Sequence, residues 1–474
     1  MRLQNGGRFT FFDENENEDV DLEKMNDSFI ELGTEDTGKL LLKYAWPAIV
    51  AMVASSLYNM VDSIFIGQGV GALAISGLAV TFPLMNLGAA FGALVGVGAS
   101  TLISVSMGQR NYEKAQNVFG NVIILNLVIG IAFSIVFLSF LTPILYFFGA
   151  SEDTIIYARE YMVVILLGNV ISHMYYGLNA IFRASGHPRS AMIATIATVV
   201  LNTILDPIFI FVFDLGIRGA AIATVIAQTA ALIWQMIQYN KKDELIHFKK
   251  GIYKLNKNII SGIISIGMSP FFMNVASCLV VVLINKALIR NGGDLAVGAY
   301  GIINRIAFIF LMIVMGITQG MQPIAGYNFG ARRYDRVTDV LKKTIIFATL
   351  ITTVGFLIAE LIPKQVSAIF TTDETLIDLA ANGMKIVLLF FPIVGFLMVT
   401  TIFFQSIGMA KKSIFLSLTR QLLFLLPGVL ILPNILGTKG VWWSMALSDL
   451  ISTFTALVLL IYQFKSFKKT GSIS

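Results

Sequence analysis

Charge is what this chain lacks most. Asp, Glu, Lys and Arg supply 13% of its 474 residues, against roughly 25% in a soluble domain. A water-facing globule is excluded, because it could not clothe its surface. Cysteine is almost missing: Cys278 stands alone in an apolar run, which rules out a disulfide within the chain and argues against a Cys-based metal site. Histidine is scarce, and His173 and His187 show no metal-ligand spacing. No Walker sequence, dinucleotide fingerprint or nucleophile elbow occurs, and no paired acids sit at a membrane face, so an enzyme is not expected. No basic start leads into a short apolar core, so no secretory signal is read at the amino end. The net charge of +6 points to no nucleic acid, because the bases cluster at the ends of apolar segments.

What is present is apolar. Hydrophobic residues make up 56% of the chain, and its mean hydropathy is +0.78. Twelve stretches can span a bilayer, near 40–66, 74–106, 115–141, 154–182, 190–213, 217–239, 258–289, 294–322, 337–362, 374–405, 413–433 and 440–463. Each meets the roughly 20 residues that a spanning helix needs. All are expected as helices, because lipid offers no partner to an unpaired backbone group. The fold class is therefore all-α, a polytopic membrane protein.

The chain also repeats itself. Shifted by 222 positions, residues 72–186 fall on 294–408 almost without gaps. Gly98, Gly108 and Tyr112 land on Gly320, Gly330 and Tyr334; Met162 and Leu166 land on Met384 and Leu388; Phe182 and Gly186 land on Phe404 and Gly408. Six spans per repeat is an even number, so both halves enter the membrane from the same side. Two lobes related by a pseudo-two-fold along the membrane normal follow, with a cleft between them as the substrate path. The lobes are read as 39–239 and 258–463, joined by a basic connection, 240–257, and followed by a basic tail, 464–474.

Basic residues set the orientation. With the amino terminus in the cytoplasm, the even-numbered connections and the carboxyl tail carry eighteen, among them Arg110, Arg183, Lys249, Lys250, Arg332, Arg333, Arg336, Lys411 and Lys468. The odd-numbered connections carry five: Arg218, Lys286, Arg290, Lys364 and Lys439. The positive-inside rule then puts both termini in the cytoplasm. Residues 1–38, with eleven acids against three bases, are expected to form a mobile acidic tail that touches the bundle little.

Polar groups inside spans are costly and tend to be functional. Asp62 lies late in span one, with Tyr58 one turn before it. Asp206 lies in span five, with Asn202 four residues earlier on the same face. Pro207 cannot donate to the carbonyl of Thr203, which leaves an oxygen free beside the carboxylate. These residues ignore the repeat: Asp62 meets Ile284 or Asn285, and Asp206 meets Gly428. A task confined to the first lobe is the sharper reading. The blander one is that the acids only tie helices together, or that Asp62 lies near the outer interface. Arg305 in span eight either binds substrate or pairs with a carbonyl, and Asp449 in span twelve is either a second ion site or a packing partner.

The runs Asn59 to Gly67 around Asp62, Arg183 to Arg189, Asn202 to Pro207 and Gly216 to Thr224 resemble the MATE family, the multidrug and toxic compound extrusion transporters, of the DinF- or MepA-like branches. The resemblance runs over roughly residues 38–463. It implies a V of two six-helix lobes, alternating access, and export of amphiphilic cations against protons or sodium, by a monomer in the plasma membrane with no cofactor beyond the coupling ion. By motif it implies a cation site at Asp62, Asn202, Asp206 and Thr224, with Tyr58 and Arg305 as weaker cavity candidates. One branch also has acids in spans seven and ten. Here those positions hold Pro270 to Asn274, and no acid in 376–405 but Asp378, so a second-lobe cation site is unsupported.

Elementary electrostatics agrees with antiport. Two carboxylates in an apolar lobe cannot both stay ionised cheaply, and a proton or a sodium ion relieves them. Sodium wants several oxygens and a proton needs one carboxylate, so both ions stay open. With 36 Phe and 19 Met, substrate selection is expected to be loose. The competing reading is a flippase for lipids or lipid-linked precursors. It needs a basic cleft, and only Arg305 and Lys385 look intramembrane.

Overall fold

The computed structural model describes residues 27–241 and 244–469, and no strand occurs among them. Among the described residues, nine helices are long and apolar enough to cross a membrane. Two more spans are bent pairs, Ile155–Leu167 with Asn169–Ala184 at 57° and Glu374–Val387 with Phe391–Ser406 at 56°. One of the nine, Lys257–Gly330, is two spans folded at Gly293, where φ is 66°. The described residues therefore hold twelve spans, as the sequence predicts. In order they are Thr37–Gly69, Ala72–Gly108, Tyr112–Ser139, the bent pair at 155–184, Pro188–Val212, Gly216–Tyr239, then 257–292, 294–330, Tyr334–Leu361, the bent pair at 374–406, Ala410–Leu436 and Thr438–Lys469.

The repeat is written into the backbone as well as the sequence. Left-handed residues recur at the same offset of 222: Gly71 with Gly293, Arg110 with Arg332 and Gly186 with Gly408. The bends in spans four and ten, near Gly168 and Phe390, keep that offset too.

Packing gives the lobes their arrangement. One apolar core draws on both of them, with Ala45, Leu94 and Ile103 from the first and Ile263, Val314, Met321 and Phe403 from the second. The two remaining cores are private. Ile66, Leu84, Leu145 and Tyr161 belong to the first lobe alone, and Ile284, Ile303, Met384 and Trp442 to the second. The lobes are thus joined at the end that carries the chain termini and separate toward the other end, a V.

Glycines form the seam. A Cβ on Gly108 would lie 1.9 Å from the carbonyl oxygen of Tyr327, and one on Gly330 would lie 2.1 Å from that of Val105. Each pair maps onto the other at the repeat offset, so the pseudo-two-fold axis passes between the ends of spans two and eight. Gly98 and Gly267 close the neighbouring contact of spans two and seven, and Gly316 and Gly320 close that of spans one and eight. In lipid, where apolar contact gives little drive between helices, such small residues let backbones meet.

The acidic tail needs correction where it is described. Asp27–Thr34 is a helix, and it docks on the second lobe. Leu32 is fully buried. The helix ends in carbonyls that lack helical partners, and side-chain donors meet them: Asn328 donates to Leu32 at 2.8 Å, Arg336 donates to Glu35 at 2.5 Å, and Arg333 donates to Gly33. Asp36 then caps span one, accepting from the amides of Gly38 and Lys39 at 2.9 and 3.0 Å. The Lys39 amide above all holds its carboxyl below the ordinary value. Charge composition alone misled, because the helix's one buried leucine and its carbonyl end do the binding. The rest of the expected tail, residues 1–26, lies outside the described residues.

Leu32→Ala should release this segment. Truncating a buried leucine costs roughly 2–5 kcal/mol, and a helix this short has little stability of its own. A glutamate-specific protease should then cut at Glu31 and Glu35 many times faster than in the wild type. Equal cutting rates would show that Leu32 does not hold the helix.

Candidate functional site

Four of the residues singled out in the sequence meet inside the first lobe, together with Tyr58. Spans one, five and six pack on one another there. The Tyr58 hydroxyl and Thr224 Oγ1 are 2.9 Å apart, and Asn202 Nδ2 donates to the same Thr224 oxygen at 3.2 Å. Thr224 therefore links span one to span five. Asp62 is 5% exposed, Asn202 1% and Asp206 0%. The two carboxyl groups are close enough to act on each other directly, and Asn202 lies at Asp206.

Local chain chemistry puts Asp206 there. The α-helix of span five ends at Pro207, and a wide π turn, Ile208–Val212, carries the span on. The proline removes a backbone donor, so the regular ladder cannot continue. Wide turns of this kind often sit at functional sites. The turn fits tightly between its neighbours: a Cβ on Gly69 would come 2.4 Å from Ile210, and one on Gly219 2.8 Å from Phe209. Asp206 is thereby locked two residues before a tightly held turn.

The cluster is rich in acceptors and poor in donors. Asp62 Oδ1, Asn202 Oδ1 and both oxygens of Asp206 are buried without a hydrogen-bond donor. Buried polar atoms in folded proteins are nearly always paired. Four unpaired oxygens in one lobe, with the hydroxyls of Tyr58 and Thr224 beside them, suit a proton shared by two carboxyls or a hard cation such as sodium. No group of three or more His, Cys, Asp or Glu able to hold a transition metal occurs among the described residues.

Tyr161 was missed by sequence reasoning. It is buried in span four, in the neighbourhood of Asp62, Tyr58 and Asp206. The repeat could have flagged it, because its counterpart 222 positions on is Gly383.

Arg305 stands apart from the cluster. It is exposed on span eight. Asp449 takes the packing reading: it is buried and paired with Arg420 in span eleven at 2.5 Å. Arg420 is a third intramembrane base, overlooked in the sequence, and its charge is answered within the second lobe.

Comparison with known proteins agrees with this fold. The family model described as MatE matches residues 47–208 and 266–430. The multidrug export protein MepA of Staphylococcus aureus strain N315 is 28% identical over 422 residues, covering 89% of this chain and 93% of MepA. MepA of Staphylococcus haemolyticus strain JCSC1435 is 27% identical over the same length. The MATE multidrug transporter DinF-BH, solved in complex with R6G, is 35% identical and superposes with a TM-score of 0.85 over 91% of this chain and 96% of its own. A MATE structure in a bent conformation superposes with a TM-score of 0.89 at 24% identity, over 94% of this chain and all of the other, a likeness of fold.

Proposed function

Because the chain belongs to the MatE family of multi-pass membrane transporters, we propose that it is a cation-coupled antiporter that exports amphiphilic, mostly cationic small molecules across the plasma membrane. The observation that carries this reading is the acceptor cluster of Asp62, Asn202 and Asp206, buried in one lobe of a V-shaped pair. The coupling ion, a proton or sodium, is a second substrate of this cluster. With the termini in the cytoplasm the V opens outward, so the ion enters from outside. Its binding relieves the repulsion within the carboxyl pair and lets spans one, five and six close up, and loss of the ion on the other side resets them. Occupancy and lobe shape are linked because the ion binds one arrangement better than the other. The pairing of Arg420 with Asp449 removes one intramembrane base that a carrier of lipid-linked anions would need free.

Proteoliposome uptake of a fluorescent monocation, with sodium and proton gradients imposed separately, tests this. Under sodium drive, Asn202→Ala and Thr224→Ala each remove a ligand, and uptake should fall about tenfold or more, the worth of one charged contact. Under proton drive they only tune the acids, and the loss should be a few fold at most. Uptake that ignores both gradients would refute coupled export.

A further inference from the structure

Span eight shows which of its faces looks at the first lobe. A Cβ on Gly316 would lie 2.6 Å from Ile49, and one on Gly320 2.6 Å from Ala45, both in span one. Arg305 precedes Gly316 by eleven residues in an unbroken helix free of proline from 301 to 316. At about 3.6 residues per turn that is three turns, so Arg305 shares the face of Gly316. At its level the lobes have parted. Arg305 is exposed, and a Cβ on Gly301, one turn beyond, would meet nothing within 4 Å.

The same contacts give the depth. Spans one and eight run antiparallel, with Ala45 against Gly320 and Ile49 against Gly316. Continued outward, that register sets Arg305 across from Met60, between Tyr58 and Asp62. It lies about 16 Å along the helix from the outer end of span eight, near the middle of a hydrocarbon core about 30 Å thick. An arginine at such a depth is costly unless it finds water or a partner. Arg305 makes no ion pair or side-chain hydrogen bond among the described residues. Arg420, by contrast, has Asp449.

The acids at this level turn away from the cleft, into their own lobe. Spans one and two carry no charge but Asp62 between Tyr44 and Gly108. The first lobe's wall along spans one and two thus presents no charge of its own opposite the Arg305 guanidinium, which faces the lobe that holds the acids.

We propose that Arg305 is a specificity residue that binds an acidic group on the substrate, so that the cleft takes amphiphiles with a carboxylate beside their cationic, aromatic part. A guanidinium grips a carboxylate by two parallel hydrogen bonds. The cation of the same molecule then faces the acidic lobe. This deepens the export reading and rests on it.

Rhodamine B and its ethyl ester form a matched pair of probes. They share the aromatic cation and differ in a free against an esterified carboxylate. Binding of each to purified protein, followed by fluorescence anisotropy without any gradient, should show the free acid weakened about tenfold to a hundredfold in Arg305→Gln. The ester should be unchanged or slightly tighter, and Arg305→Lys should restore part of the loss. Equal weakening of both dyes would make Arg305 structural, and no change in either would turn it toward lipid. Failure of the wild type to bind the free acid would also overturn the proposal. If the dyes bind as expected but gradients fail to move them in proteoliposomes, the export reading falls instead.

Discussion

Asp206→Asn and Asp62→Asn should each bring gradient-driven accumulation down to the passive level while leaving the fold intact. The amide keeps the size of the carboxyl group and much of its hydrogen bonding, but it is always neutral. It imitates the ion-loaded state and cannot leave it. Each charge that moves inward across 100 mV supplies about 2.3 kcal/mol, enough for roughly fiftyfold accumulation of an exported molecule. That whole factor should vanish in either variant. Folding should survive, because the four acceptor oxygens have no donor to lose. Transport under imposed proton and sodium gradients, alongside the unfolding temperature of the purified variants, separates the outcomes. Wild-type accumulation in both variants would make the acids structural. Loss of transport with a collapsed unfolding temperature would make them part of the scaffold.

The site could be seen in the sequence because it breaks a pattern. Asp62, Asn202, Asp206 and Thr224 fall, one repeat on, at Ile284, Phe424, Gly428 and Ala446. Tyr58 falls at Val280. The second lobe thus holds apolar or small residues wherever the first holds the cluster, and Val280, Ile284 and Ala446 are buried core. A charge that costs stability in one lobe and has no copy in the other stands out. Tyr161 did not, because an aromatic ring in an apolar helix looks like ordinary packing until its neighbours are known. Arg420 escaped for a related reason. Its partner Asp449 lies 29 residues away on the next span, a distance along the chain that no local pattern reports.

The fold was legible for a simpler reason. Lipid forces every span to be apolar and helical, so counting apolar runs counts helices. The ends were harder. Span eight continues to Gly330, past the expected end near residue 322, because its last two turns press on span two rather than on water. The docked helix at Asp27–Thr34 was hidden by the acids around it. In both places contacts between residues far apart in the chain decide the structure, 296 and 304 positions apart at the docked helix and, for span eight, from Gly330 back to Val105.

Those contacts yield the other large effect. Gly108→Val and Gly330→Val should each hold the seam open and shift the lobes toward the arrangement in which the terminal end is parted. A Cβ at Gly108 would overlap the Tyr327 carbonyl, and one at Gly330 that of Val105. Backbone cannot step aside as a flexible side chain can. Overpacking costs roughly 1–3 kcal/mol per site, a shift of about fivefold to more than a hundredfold in a two-state balance. Neither side chain enters the private core of a lobe, so each lobe should stay folded. Because the two contacts are one contact repeated by the pseudo-two-fold, the variants should behave alike. Glu113 and Asp335 are exposed, repeat-related, and one lies on each lobe beside the seam. Spin labels on Glu113→Cys and Asp335→Cys, in a Cys278→Ser background, should report a longer separation in both glycine variants than in the parent. Transport should fall at least tenfold, because a carrier that cannot close one end cannot alternate. An unchanged separation with normal transport would mean that the seam yields at little cost. A change in one variant but not the other would break the symmetry on which the two-lobe reading stands.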